Sequence, residues 1–170
     1  MKWIGLLMIA LAGVWLGISA SMHLNRRTKT LGQIEKMIVR MDAQIRYTAM
    51  PVWELAAGVA GCDEFSQLSF LRELGMRQGG QQVDFPSAWS QCIGRHGKSA
   101  DLTREDQELL IEFGKGLGTS DIEGQLNHCR LYQDLFVKQR ALAEQEAAAK
   151  GKLYVTLGAA GGMGLALLWI

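Results

Sequence analysis

Hydrophobic and polar positions divide this chain into three regions. Residues 3–22, WIGLLMIALAGVWLGISASM, carry no charge, and neither do residues 153–170, LYVTLGAAGGMGLALLWI. Between them apolar residues recur every three or four positions, the spacing of one helix face, and no stretch alternates as a strand would. Leu31, Ile34, Ile38, Met41 and Ile45 form the first such stripe. Thr28 or Thr30 is placed to cap that helix, and Pro51 prevents its continuation, because proline disfavours helical backbone in the residue before it. A short helix follows from Pro51 and ends near Gly58–Gly61. Asp63 is expected to cap EFSQLSFLREL, with Phe65, Leu68, Leu71 and Leu74 inward.

After the loop GMRQGGQQV, Asp84-Phe85-Pro86 opens a helix with Trp89 and Ile93 on one face. Thr103 to Asp106 has the spacing of a capping box, with Asp in place of the usual Glu or Gln. It begins a helix whose inward stripe is Leu109, Leu110, Phe113 and Leu117. The last helix starts near Ser120 and carries Ile122, Leu126, Cys129, Leu135, Phe136 and Leu142 in a 3–4 pattern. No proline interrupts it, so it is expected to run into the second apolar block, with Gly151 its weak point. The expected fold is all-α: an antiparallel bundle of about six helices, residues 23–152, between two transmembrane helices, residues 1–22 and 153–170.

The two apolar blocks have the length for this. Roughly 18–20 helical residues cross a hydrocarbon core of ~30 Å. Net charge is only +1, but its distribution is informative. Of the 18 Lys and Arg, Lys2 alone lies outside residues 23–152, and all 17 Asp and Glu lie inside that span. Arg26, Arg27, Lys29, Lys36 and Arg40 follow the first block; Lys138, Arg140, Lys150 and Lys152 precede the second. Positive residues gather on the cytoplasmic side of a span, so the middle domain is expected in the cytosol and both termini outside. The same asymmetry favours an uncleaved anchor over a signal peptide, although Lys2 and Ser19-Ala20-Ser21 supply parts of one. The near-zero net charge gives no bulk electrostatic case for nucleic acid. Cys62, Cys92 and Cys129 are odd in number and lack a CxxC pair, so reduced thiols are expected.

Candidate chemistry is sparse. GKGLGTSDIEGQ, residues 114–125, has the glycines, lysine and hydroxyls of a phosphate loop but not the G-x-x-x-x-G-K-[ST] spacing, and it follows a helix rather than a strand. It reads instead as a helix stop and restart: Gly116 or Gly118 takes a positive φ, and Ser120 to Glu123 forms a capping box. His23, His96 and His128 have no partner at ligand spacing and read as surface or edge residues. Adjacent His128 and Cys129 point to different helix faces and make no local catalytic pair. No catalytic residue, metal site, cofactor or small-molecule substrate is expected. Gly13…Gly17 and Gly158…Gly162 are G-x-x-x-G pairs that would let a second membrane helix approach closely.

Several segments together, IRYTAMPVWELA (45–56), SAWSQCI (87–93), LTREDQELLIEFGKGLGTSDIEGQ (102–125) and KLYVTLGAAGGMGLALL (152–168), resemble the stage III sporulation protein AB family end to end. The most specific match is Leu117-Gly118-Thr119-Ser120-Asp121 with Gln125; a departure is Met50, where members usually carry a hydroxyl residue before the proline. The resemblance implies a platform in the channel complex between mother cell and forespore, in the membrane surrounding the forespore. It is similar to the inner-membrane platforms of type II secretion and type IV pilus machines. Its implied partners are other proteins of that complex, including a secretion-type ATPase, and membrane lipid. Gly118, Ser120, Asp121 and Gln125 are then candidates for holding the turn or meeting a partner. The alternatives are a membrane-anchored adaptor or sensor outside sporulation, and a membrane-bound hydrolase, for which no nucleophile and base are visible.

Overall fold

The computed structural model describes the backbone of residues 2–48, 50–77 and 84–168; within 2–21 and 151–168 it describes the side chains of only Trp15, Ser19 and Thr156. Described residues form helices α1 (Lys2–Thr48), α2 (Val52–Ala60), α3 (Ser69–Met76), α4 (Phe85–His96), α5 (Arg104–Gly116) and α6 (Ile122–Leu168), with a 3-10 turn at Asp63–Phe65 and no strand. The fold is an all-helical bundle. Contacts divide it into two units, Met1–Thr28 with Ala141–Ile170, and Lys29–Arg140.

Among the described residues no helix is long and apolar enough to cross a membrane. The two spans expected at 3–22 and 153–170 fall on segments whose side chains lie almost wholly outside the described residues, as do Gly13, Gly17, Gly158 and Gly162.

The six α-helices include the chain's apolar ends, so α1 and α6 each join what the sequence pattern treats as a span and a bundle helix. For α6 this continuity was expected from the lack of proline. For α1 it corrects the expected cap at Thr28: the Thr28 hydroxyl instead donates to the Leu24 carbonyl 3.2 Å away, one helical turn back. Residues 22–31 contain neither Gly nor Pro, so nothing there ends a helix.

In the Lys29–Arg140 unit, the predicted stripe of α1, Leu31, Ile34, Ile38, Met41 and Ile45, is buried, and Met37 joins it. Phe65, Leu68, Leu71 and Leu74 are buried as predicted, but Asp63 does not cap a continuous helix. The chain makes one 3-10 turn, extends at Leu68, and restarts as α3. At ~100° per residue a single helix would turn Phe70 about 140° away from Phe65. The break lets both rings face the core, where Phe65 is 3 % and Phe70 1 % exposed.

Helix α4 is capped by Asp84, whose carboxylate accepts from the Ser87 amide at 3.1 Å. The capping box of α5 is complete. Asp106 accepts from the Thr103 amide at 3.0 Å, and the Asp106 amide donates to the Thr103 hydroxyl at 3.2 Å. Asp106 is itself fully buried and, with Leu110, Phe113 and Leu117, forms the inward stripe; Leu109 is only half-buried. Glu73 links α3 to α4 by accepting from Arg77, Arg95 and His96. Burial pulls its pKa upward, but these donors outweigh that and hold the carboxyl below its ordinary range.

Candidate functional site at the glycine turn

The α5–α6 turn carries the candidate residues Gly118, Ser120, Asp121 and Gln125. Its glycines each answer a separate steric demand. Gly114, the third-last residue of α5, sits against the indole of Trp89: a Cβ there would lie 2.2 Å from the ring. Trp89 is fully buried, and its Nε1–H donates to the Leu110 carbonyl at 2.7 Å, so the ring is pinned against the helix. At Gly116 a Cβ would lie 2.2 Å from the imidazole of His128. Gly118 has φ +78°, the left-handed conformation that terminates helices, and packs on Val52 at the start of α2. Of the two glycines expected to take positive φ, Gly118 is the one that does; Gly116 remains helical.

The restart of α6 departs from the expected capping box. Asp121, not Ser120, is the capping residue: its carboxylate accepts from the Gly124 amide at 2.9 Å. That register puts glycine where a box needs a carboxylate or amide side chain, so the reciprocal bond cannot form. Gln125 instead donates from Nε2 to the Ser120 carbonyl at 3.1 Å. Thr119 closes the other end by donating to the Gly116 carbonyl at 2.9 Å. Leu117 anchors the turn in the core at 3 % exposure, while Gly118 to Glu123 are exposed. The structure thus brings Gly118, Ser120, Asp121 and Gln125 together in one self-bonded knob.

His128 corrects the reading of it as a surface or edge histidine. Its ring stacks on Phe113 at 5.5 Å and 7°, and Nε2–H donates to the Phe113 carbonyl at 2.9 Å. Phe113 lies in the last turn of α5, so this bond satisfies one of the carbonyls that a helix end leaves open. Tyr132 lies against both rings, its centroid 4.6 Å from that of His128 and 5.5 Å from that of Phe113. Rings continue from His128 and Phe113 through Trp89 and Phe85 to Trp53, tying α6, α5, α4 and α2 together behind the turn. The i, i+4 spacing of His128 and Tyr132 was a readable signal. The stacking on Phe113 was not, because it joins two helices.

This constellation positions backbone rather than reacting groups. Among the described residues no group of His, Cys, Asp and Glu is arranged to hold a metal ion. Burial, with a smaller push from Asp42, drives the Cys129 thiol up to about 12, and burial also raises that of Cys92. Both are protonated and unreactive at neutral pH.

Residues 2–170 match the family described as stage III sporulation protein AB. The chain is 25 % identical over 173 residues to stage III sporulation protein AB of Bacillus subtilis, covering 99 % of this chain and 98 % of that one. A solved structure of a stage III sporulation protein AB superposes with a TM-score of 0.57 at 23 % identity, over 72 % of this chain and 96 % of that one, and so shares its fold. A helical bundle built around this turn, matched from residue 2 to residue 170, belongs to the stage III sporulation protein AB family.

Proposed function

We propose that the protein is a membrane-anchored structural platform of the channel complex between mother cell and forespore, with its helical domain docking a cytosolic secretion-type ATPase. The observation that carries this reading is the match over residues 2–170, which takes in both uncharged ends as well as the bundle. The ends have the length and flanking charge of spans, and Trp15, within the first, is 77 % exposed. The bundle offers a self-bonded knob at Gly118–Gln125, exposed from Gly118 to Glu123. The buried thiols of Cys92 and Cys129 and the bonded His96 and His128 suit scaffolding better than catalysis.

The knob tests the docking. Asp121→Asn keeps an oxygen that caps as well as Asp does while removing the charge. Capture of the ATPase encoded alongside, from cells entering sporulation, should fall with Asp121→Asn while thermal unfolding stays unchanged. Undiminished capture would rule out the turn as the contact. Deleting the gene should arrest forespore growth after engulfment; normal growth would remove the channel role altogether.

A further inference from the structure

The outer face of α1 carries three cations, of which only Lys36 has an ion-pair partner among the described residues. At ~100° per residue, Lys29, Gln33, Lys36, Arg40 and Tyr47 fall within an arc of about 60°, opposite the buried stripe. Lys29, Lys36, Arg40 and Tyr47 are exposed, Tyr47 by 83 %. The two acidic residues of the helix, Glu35 and Asp42, lie more than about 100° away from the centre of that arc. They pair with Arg140 and Arg46. Lys36 reaches Glu64 across an exposed 3.0 Å contact. Among the described residues neither Lys29 nor Arg40 has an ion-pair partner.

Several helical cations elsewhere in the chain have a carboxylate beside them. Arg104 meets Glu108, Lys115 meets Glu112 and Lys150 meets Glu146, each three or four residues away. Arg130 and Lys138 flank Asp134 at the same spacing. On α1 none of Lys29, Lys36 and Arg40 has an acid at those positions, and Lys36 and Arg40 stand four apart as a like-charge pair, which disfavours the helix. The bias of basic residues beside a membrane span counts charges, not faces. It does not account for their collection on one stripe, nor for the exposed tyrosine at its end.

We propose that this face of α1 is a docking surface for an acidic protein segment, a helix or strand presenting Asp and Glu along one side, with Tyr47 as its aromatic anchor. A lipid surface fits less well. An interfacial helix inserts its apolar face, and that of α1 is buried against the bundle. Neutralising the stripe would remove the like-charge repulsion, and the aromatic end would give the contact a desolvated centre. The proposal stands apart from ATPase docking at the α5–α6 turn, which uses other residues.

The test uses the full-length chain in phosphatidylcholine nanodiscs and a fluorescent poly-glutamate peptide as probe, read by anisotropy. Lys29→Glu/Lys36→Glu/Arg40→Glu should lower the affinity at least ~10-fold, and added salt should weaken the parent's binding. Lys98→Glu/Arg130→Glu/Lys138→Glu, equal in charge change and also exposed, should leave it within ~3-fold. Equal losses from both variants, or no binding by the parent chain, would overturn the proposal. A second measurement places a photo-crosslinking residue at Gln33 in sporulating cells. A crosslinked peptide rich in Asp and Glu supports the assignment; a lipid adduct alone, or a peptide without acidic residues, overturns it.

Discussion

At the α5–α6 turn, Thr119, Asp121 and Gln125 are polar side chains bonded back to their own backbone, whereas on the outer face of α1, Lys29 and Arg40 have no ion-pair partner among the described residues. Both regions are hydrophilic and solvent-facing, and composition does not separate them. What separates them is where their interactions close. The turn's polar atoms satisfy helix ends that would otherwise be open, so their hydrogen bonds close inside the molecule and only the charge of Asp121 is left for a partner. On the face of α1 Lys36 meets Glu64, but Lys36 and Arg40 form a like-charge pair. Lys29 and Arg40 have no ion-pair partner among the described residues, so an ionic contact for them has to come from outside the molecule. Substitutions that disturb the turn's glycines or caps should therefore cost stability, whereas neutralising the face should cost binding alone.

The largest effect is expected behind the turn. Gly114→Ala gains about 0.5–1 kcal/mol of helix preference, but its methyl meets the pinned Trp89 ring at 2.2 Å. Overpacking a buried site typically costs 1–3 kcal/mol. The clash should win, giving a net loss of roughly 1–2 kcal/mol in urea unfolding. A neutral or stabilising result would show that α5 can slide away from Trp89 freely.

Gly118→Ala comes next, by a different mechanism. Left-handed backbone costs a non-glycine residue about 1–2 kcal/mol. The new methyl would also meet Val52 at 2.4 Å, but Val52 is only half-buried and Gly118 is exposed, so that contact can relax and adds little. Pairing it with Val52→Ala separates the two terms, since the smaller side chain removes the clash and leaves the backbone strain. If the double variant were as stable as Val52→Ala alone, backbone conformation would not be the reason for glycine.

The smallest effect on stability belongs to α1. Lys29→Gln/Lys36→Gln/Arg40→Gln removes exposed charge, a like-charge pair and one exposed ion pair, so unfolding should shift by no more than about 0.5 kcal/mol. A loss of several kcal/mol would mean that the face supports the fold, and the contrast between the two regions would collapse.

Much of this architecture was legible along the chain because its determinants are local. The 3–4 stripes of α1, α4 and α5 marked the buried faces, and Asp84 and the Thr103–Asp106 box marked two helix starts. Caps and stripes depend on residues within one or two turns, so spacing alone carries them. The misreadings came where spacing left a choice. Thr28 has the chemistry of a cap but no helix end near it. Asp63 has the chemistry to start one long helix, but that helix would turn Phe70 away from the core that Phe65 enters. The capping register at Ser120 and Asp121 differs by a single residue.

The sequence by itself thus determined the helical class, the buried faces of α1, α4 and α5 and the presence of a glycine turn between α5 and α6, because periodicity and turn chemistry act over a few residues. On α6 only Cys129 and Phe136 of the expected stripe are buried, while Ile122 and Leu142 are exposed. Tertiary structure decided why there are three glycines in that turn. Only Gly118 is explained by its own backbone. Gly114 makes room for Trp89 of α4 and Gly116 for His128 of α6. Trp89 lies 25 positions before Gly114 and His128 lies 12 after Gly116. Close approach between helices is a property of two surfaces meeting, and no local pattern records which side chain arrives.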